Sequence, residues 1–175
     1  MLVSLDGEWG LSMRLAGTTR FPKNMMLGAI EDNNLILEYG REVARQCKEM
    51  GIHINFAPDM DVNSNTENPV IGLRSFGENP HAVAEKGIAY SRGLEGEGII
   101  SVAKHFPGHG DTSEDSHYTL PTVHHDLSRL DSVELFPFRE YVREGFAGVM
   151  TGHLFVPALD KARNRPVSLS KPIVT

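Results

Sequence analysis

The segment Lys104-His105-Phe106-Pro107-Gly108-His109-Gly110-Asp111-Thr112-Ser113-Glu114-Asp115-Ser116-His117 concentrates groups that bind metals or move protons. Five of the chain's eight histidines lie between positions 105 and 125. Pro107, Gly108 and Gly110 interrupt regular structure, so the segment reads as a shaped loop. Three chemistries compete for it. Histidine and aspartate are metal ligands, but the spacings are irregular and no HExxH pair is present. A second reading is a solvated polar loop with no chemistry. The third is acid–base catalysis by a histidine paired with a carboxylate, for which Asp115 and His117 are the natural pair. A nearby aspartate can fix an imidazole tautomer and stabilise its protonated form, giving a proton donor usable near neutral pH.

Such a loop needs a rigid scaffold, and the rest of the chain supplies one. Apolar runs at Leu2–Asp6, Ile52–Pro58, Ile99–His105 and Ala147–His153 read as strands. Amphipathic stretches at Asn33–Met50, Pro80–Gly96 and Leu127–Glu144 read as helices. Strand and helix alternate, which implies an α/β fold with parallel strands. The strands are apolar throughout, as in a sheet buried on both faces. The runs end in or reach Asp6, Asp59 and Asp61, Lys104-His105, and His153. Four strands thus deliver ionisable groups to their C-terminal ends, where parallel α/β folds bind ligands.

The sequence has 175 residues, net charge −6, one cysteine (Cys47) and 40% hydrophobic residues. One cysteine excludes a disulfide scaffold and a cysteine-based zinc cluster. The acidic balance, without a basic block, argues against nucleic acid as the main partner. No apolar run approaches the roughly 18 residues of a membrane span. The length suits a small α/β domain and falls short of the about 250 residues of a whole (β/α)8 barrel.

The run KHFPGHGDTSEDSHYTLP resembles the signature of family 3 glycoside hydrolases, in their β-N-acetylhexosaminidase branch. Asp6-Gly7-Glu8-Trp9-Gly10 to Arg14-Leu15 is similar to the family's D-x-E-G-G-R-V-x-R-L segment, and Thr18 to Pro22 to its G-x-T-x-F-P. Asn55-Phe56-Ala57-Pro58 to Asp61-Val62 resembles N-x-A-P-x-x-D-V, and Arg74-Ser75-Phe76-Gly77 resembles R-S-F-G. The resemblance implies a (β/α)8 TIM barrel and retaining hydrolysis of terminal β-linked N-acetylhexosamine, from an oligosaccharide or a bacterial muropeptide. It implies His117 as acid/base assisted by Asp115, and sugar contacts from Asp6, Arg14, Arg74, Lys104 and His105. It implies no cofactor and no metal. Surface pairing of Arg14 with Glu8, and anchoring of a glycine turn by Arg74, are the plainer alternatives. His153 reads as either a pocket or a core histidine, and Trp9 as a sugar platform or a packing residue. His109 and Asp111 read as residues that hold the loop's shape.

Two departures matter. Glu8-Trp9-Gly10 replaces the family's E-G-G, with Leu11 where an arginine is common. The family's S-D-x-x-M nucleophile segment does not occur in residues 1–175. Asp59 and Asp61 match a different family position and are not read as nucleophiles. Met1 to Asp6 corresponds to about the third barrel strand. Residues 1–175 are therefore expected to cover about strands three to six as one partial barrel domain, with little turnover by themselves. Two open sheet edges then favour self-association or a complementary fragment. A non-catalytic carbohydrate-binding module and a metal-dependent hydrolase are the alternative functions. The compartment is open between bacterial cytoplasm and periplasm.

Overall fold

Four apolar runs pair in the order in which they occur. The structure, a computed structural model, describes residues 1–115, 118–162 and 164–175. Strands β1 (Ser4–Leu5), β2 (Ile54–Asn55), β3 (Ile100–Phe106) and β4 (Gly148–Thr151) form one parallel sheet in the order β1-β2-β3-β4. Register is set by Ser4 opposite Ile54, Ile54 opposite Ile100, and Val102 opposite Gly148. The expected strands are all present; β1, β2 and β4 are shorter than their apolar runs, and β3 has the expected length displaced by one residue. Among the described residues the Ala57–Pro58, Lys104–His105 and Phe106–Pro107 peptide bonds are cis.

The helices follow their local signals. Helix α1 (Asn24–Gly28) is short and was not expected from periodicity. Helix α2 (Asn33–Glu49) starts where the Asp32 side chain accepts from the Asn34 N–H, satisfying an orphan donor of the first turn. Helix α3 (Pro80–Gly96) starts with Asn79 accepting from the His81 and Ala82 N–H groups and proline in the first turn. The third expected helix is two: α4 (Leu127–Ser132), capped by Asp126, and α5 (Phe136–Arg143). Pro137 explains the break. Inside a continuous helix its ring would meet the carbonyl four residues back and remove one donor. In the first turn of α5 it does neither. A last short helix, α6 (Lys171–Val174), lies near the end of the chain.

The main core forms where α2 meets α3 and the sheet. Ile36, Val43, Ala44 and Cys47 from α2 bury with Val83, Tyr90 and Leu94 from α3. The two helices cross closely because glycines face each other. A Cβ on Gly93 would lie 2.3 Å from the Leu37 carbonyl oxygen, and one on Gly40 would lie 2.3 Å from that of Tyr90. The sheet is not covered on both faces along its whole width. Val149 in β4 is 39% exposed. It opens onto an apolar groove with Phe106, Phe138, Val142, Ile173 and Val174, because β4 has no further strand beside it. Among the described residues no helix is long and apolar enough to cross a membrane.

The crossing sets a stability test. Gly93→Ala forces a methyl into backbone and should cost about 1–3 kcal/mol in urea unfolding. Gly96→Ala, at a position with nothing within 4 Å, should be neutral or gain up to about 1 kcal/mol. Equal effects of the two would refute the close-crossing account.

Candidate active site

The C-terminal ends of β1, β2 and β3 converge on one buried carboxylate. Glu8, just after β1, has a fully buried side chain between two cations. Its Oε1 lies 2.7 Å from Lys104 Nζ and accepts from Arg74 Nη2 at 2.7 Å. Its Oε2 accepts from Arg74 Nε at 3.1 Å. Burial alone would raise the Glu8 carboxyl, but the two cations hold it below its ordinary value. Lys104, in β3, also donates to Asp6 Oδ1 at 2.8 Å. Arg14, after the turn Leu11–Met13, donates to the other Asp6 oxygen at 3.2 Å. Burial would raise Asp6 too, and Lys104 and Arg14 outweigh it.

The Asp6-Gly7-Glu8 backbone is fixed from below by polar groups of the core. Asn55 of β2 accepts from the Gly7 N–H at 2.9 Å and donates to the Gly7 carbonyl at 3.1 Å. The Tyr90 hydroxyl donates to the same carbonyl, and the Tyr39 hydroxyl to that of Glu8, both at 3.1 Å. The two tyrosine rings stack with centroids 5.2 Å apart.

A second arm runs through His105. Arg74 Nη2 meets its Nε2 at 3.3 Å, and Asp61 Oδ2 meets its Nδ1 at 2.7 Å. A guanidinium can only donate, so Nε2 presents its lone pair and Nδ1 carries the proton to Asp61. Asp61 also accepts from the His109 backbone N–H at 2.7 Å. Burial would push the Asp61 carboxyl up, but the His105 imidazole and the His109 N–H bring it down to about 2. Asp59 is its opposite. Its Oδ1 accepts from the Asp61 N–H, while Oδ2 accepts no hydrogen bond among the described residues. Burial and the charges of Asp61 and Glu8 push its carboxyl well up.

Asp59, Asp61 and His105 bring ligand atoms within 4.8 Å of one another and are the residues that could hold a metal ion. An ion there would have to take Asp61 Oδ2 and His105 Nδ1 from each other, beside the Arg74 guanidinium. Both aspartates are wholly buried, which keeps them from acting as nucleophiles at the cleft surface.

Above this network lies a cleft of about 590 Å³ lined by Asp6, Arg14, Arg74, Lys104 and His105. All five expected sugar-contact residues therefore meet in one place. Arg14 pairs with Asp6 rather than with Glu8. Arg74 serves both readings, bonding the Val70 carbonyl of its own turn and the network. Met150, Thr151, Gly152 and His153 make the facing wall, with His153 exposed and its Nδ1 3.0 Å from Ser168 Oγ. Trp9 does not line the cleft and sits under the Lys23 ammonium, 5.4 Å from its ring centre.

The histidine-rich loop is fastened at its near end. Asn68 donates to the His109 carbonyl at 2.7 Å, and the Thr112 hydroxyl meets His109 Nδ1 at 2.6 Å. The Gly110 carbonyl accepts from the Asn65 N–H at 3.3 Å. A Cβ on Gly110 would lie 1.8 Å from the Val62 carbonyl oxygen, so only glycine fits. His109 is thus tied into the loop while it also lines the cleft, and Asp111 Oδ1 accepts from Ser64 Oγ at 3.2 Å. Asp115 is half-buried and its carbonyl accepts from the Tyr118 and Thr119 N–H groups. His117 and Ser116 lie outside the described residues. Sequence reading missed Glu8 as the hub and did not assign Asn55, Tyr90, Asn65 or Asn68. A lone asparagine inside the apolar run Ile52–Pro58 was the available signal for Asn55.

A parallel α/β sheet with a charged, partly enclosed cleft at its strand ends defines the class of this protein. The chain belongs to the glycosyl hydrolase family 3 N terminal domain family, whose family model matches residues 1–175. It is 45% identical to a family 3 β-N-acetylglucosaminidase of Paenibacillus sp. str. FPU-7, with a TM-score of 0.94, over 99% of this chain and 33% of that one. NagZ of Neisseria gonorrhoeae, solved with N-trifluoroacetyl-D-glucosamine, matches at 36% identity and TM-score 0.87 over 98% of this chain and 52% of that one. Beta-hexosaminidase A of Pseudoalteromonas piscicida is 37% identical over 100% of this chain and 32% of its own length. The chain thus spans about a third to a half of the length of these relatives.

The contrast between the two aspartates is testable. Asp61→Asn strands buried donors and should cost about 2–3 kcal/mol. Asp59→Asn keeps the Oδ1 acceptor and should change stability by less than about 1 kcal/mol. Asp61 has a folded value of about 2, below its unfolded value of roughly 4. Its contribution is therefore complete above that unfolded value and is lost as pH falls toward and through 2. Asp61→Asn should flatten this acid limb in pH-dependent unfolding. An unchanged limb would show that Asp61 does not carry it.

Proposed function

We propose that this chain is the sugar-binding and acid/base part of a retaining β-N-acetylhexosaminidase. The observation that carries this reading is that Asp6, Arg14, Arg74, Lys104 and His105, drawn from separate sequence motifs, line one cleft beside the loop of Asp115. The named activities of the relatives and the glucosamine derivative bound by NagZ agree with it. A terminal N-acetylhexosamine is a neutral, hydroxyl-rich ligand that needs fixed donors and acceptors at one end of a pocket. The Asp6 carboxylate offers acceptors for vicinal hydroxyls. Among the described residues Lys104 gives two of its three N–H donors to Asp6 and Glu8, which leaves the third for a hydroxyl oxygen. Arg74, half-buried, is held by Glu8 in one orientation, so binding costs little side-chain entropy.

In this reading His117, assisted by Asp115, gives its proton to the glycosidic oxygen as the bond from that oxygen to the sugar breaks. A carboxylate attacks the anomeric carbon from the opposite face, and His117 then takes a proton from the water that releases the sugar. The carboxylate is assigned to sequence outside residues 1–175, since Asp59 and Asp61 are buried and no S-D-x-x-M segment is present. The sheet is read as about strands three to six of a (β/α)8 barrel, and residues 1–175 as one partial barrel domain. The sequential order β1-β2-β3-β4 supports this, since it lacks the reversal of a doubly wound sheet. The free sides of β1 and β4 are assigned to the remaining strands rather than to a second copy of this chain.

In the full natural polypeptide, His117→Ala should slow an unactivated N-acetyl-β-glucosaminide by about 10²–10⁴-fold and a strongly activated aryl glycoside far less. Equal losses on both would remove His117 from the acid role. The pure 175-residue chain should release no nitrophenol from the same sugar above background. Robust turnover by it would overturn the assignment of the nucleophile.

A further inference from the structure

The loop that carries Asp115 leaves the network at Asp111 and returns at His125, and these two residues meet. His125 Nε2 lies 2.6 Å from Asp111 Oδ2, while the other Asp111 oxygen accepts from Ser64 Oγ at 3.2 Å. Three stretches distant in sequence therefore join at one carboxylate. Both flanks of this junction are themselves fixed. On the near side, Gly110 sits against the Val62 backbone and Asn65 and Asn68 grip residues 109–112. On the far side, Thr122 bridges Phe155, with the Val123 N–H donating to the Phe155 carbonyl at 2.9 Å. His125 directly precedes Asp126, whose carboxylate caps α4. The chain thus leaves at Asp111 and returns at His125 at adjacent points, as the two ends of an Ω-loop do.

We propose that the His125–Asp111 pair is the base latch of this loop, and that His125 is a positioning residue for the acid/base group. The inference rests on the reading of Asp115 and His117 as the acid–base pair. Holding the two stems together limits the orientations open to the segment between them, and an acid displaced by about 1 Å loses much of its effect. Ser64 only supplements the pair. His125 does not line the cleft, so its role acts through the loop rather than through the sugar.

The test uses the full natural polypeptide and two N-acetyl-β-glucosaminides, one with an activated aryl and one with a poor alkyl leaving group. His125→Ala should lower kcat on the poor substrate about tenfold, with less than about threefold change on the activated one and KM unchanged. His125→Gln, whose amide N–H still reaches toward Asp111, should recover most of the loss. Equal losses on both substrates, or a Gln variant no better than Ala, would overturn the latch and leave His125 a residue of general stability. Amide hydrogen exchange gives a readout independent of catalysis: the Tyr118 and Thr119 amides, which donate to the Asp115 carbonyl, should exchange faster in His125→Ala while β3 is unchanged. Unchanged loop exchange overturns the latch whatever the kinetics. The acid–base reading fails separately, when His117→Ala itself shows no leaving-group dependence, and the catalytic effect of the latch falls with it.

Discussion

The buried Glu8 carboxylate, clasped by Lys104 and Arg74, is the interaction on which the site depends. Removing three charges from water is costly, and the attraction among them offsets that cost only when geometry is close and remaining donors are satisfied. Here the distances are short and the spare donors go to Asp6, Val70 and His105. The result joins three places far apart in sequence: the end of β1, the end of β3, and the turn before α3. None of the charged groups lining the cleft is fixed by its own strand alone. Asp6, Arg14, Arg74 and Lys104 are oriented by neighbours of opposite charge, and His105 is held between the Arg74 guanidinium and the Asp61 carboxylate.

The same segment links the site to the apolar core. Tyr39 and Tyr90 bury their rings between α2 and α3 and spend their hydroxyls on the carbonyls of Glu8 and Gly7. A buried tyrosine needs a partner for its hydroxyl, and a strand end needs partners for its carbonyls, so each satisfies the other. The glycine-lined crossing of α2 and α3 sets how deep those rings lie. Packing of the helices and orientation of the cleft carboxylates are therefore one problem.

Much of this was legible in the sequence. Polar residues ending apolar runs marked the strand ends and hence the cleft. Asn79-Pro80 and Asp126 marked two helix starts, because capping is a local matter of one side chain and the next turn. Pro137 carried the signal for the break between α4 and α5, but amphipathic periodicity runs through it and masks the stop. The hub role of Glu8 was not legible. Its partners lie at positions 74 and 104, and only the tertiary fold brings a carboxylate and two cations together. The asparagines at 55, 65 and 68 were hidden for the same reason: each bonds backbone some forty residues or more away.

The cleft has two unlike walls. On the side of Asp6, Arg74 and Lys104, the charges are shared through Glu8, so any single change unbalances groups that the others hold in place. On the side of β4, Met150, Thr151 and His153 belong to no ion pair among the described residues and can change one at a time. The fold thus separates a wall locked by shared charges from one that no ion pair among the described residues ties down. Changes around the end of β4 can therefore reshape the cleft one residue at a time without disturbing the charges opposite.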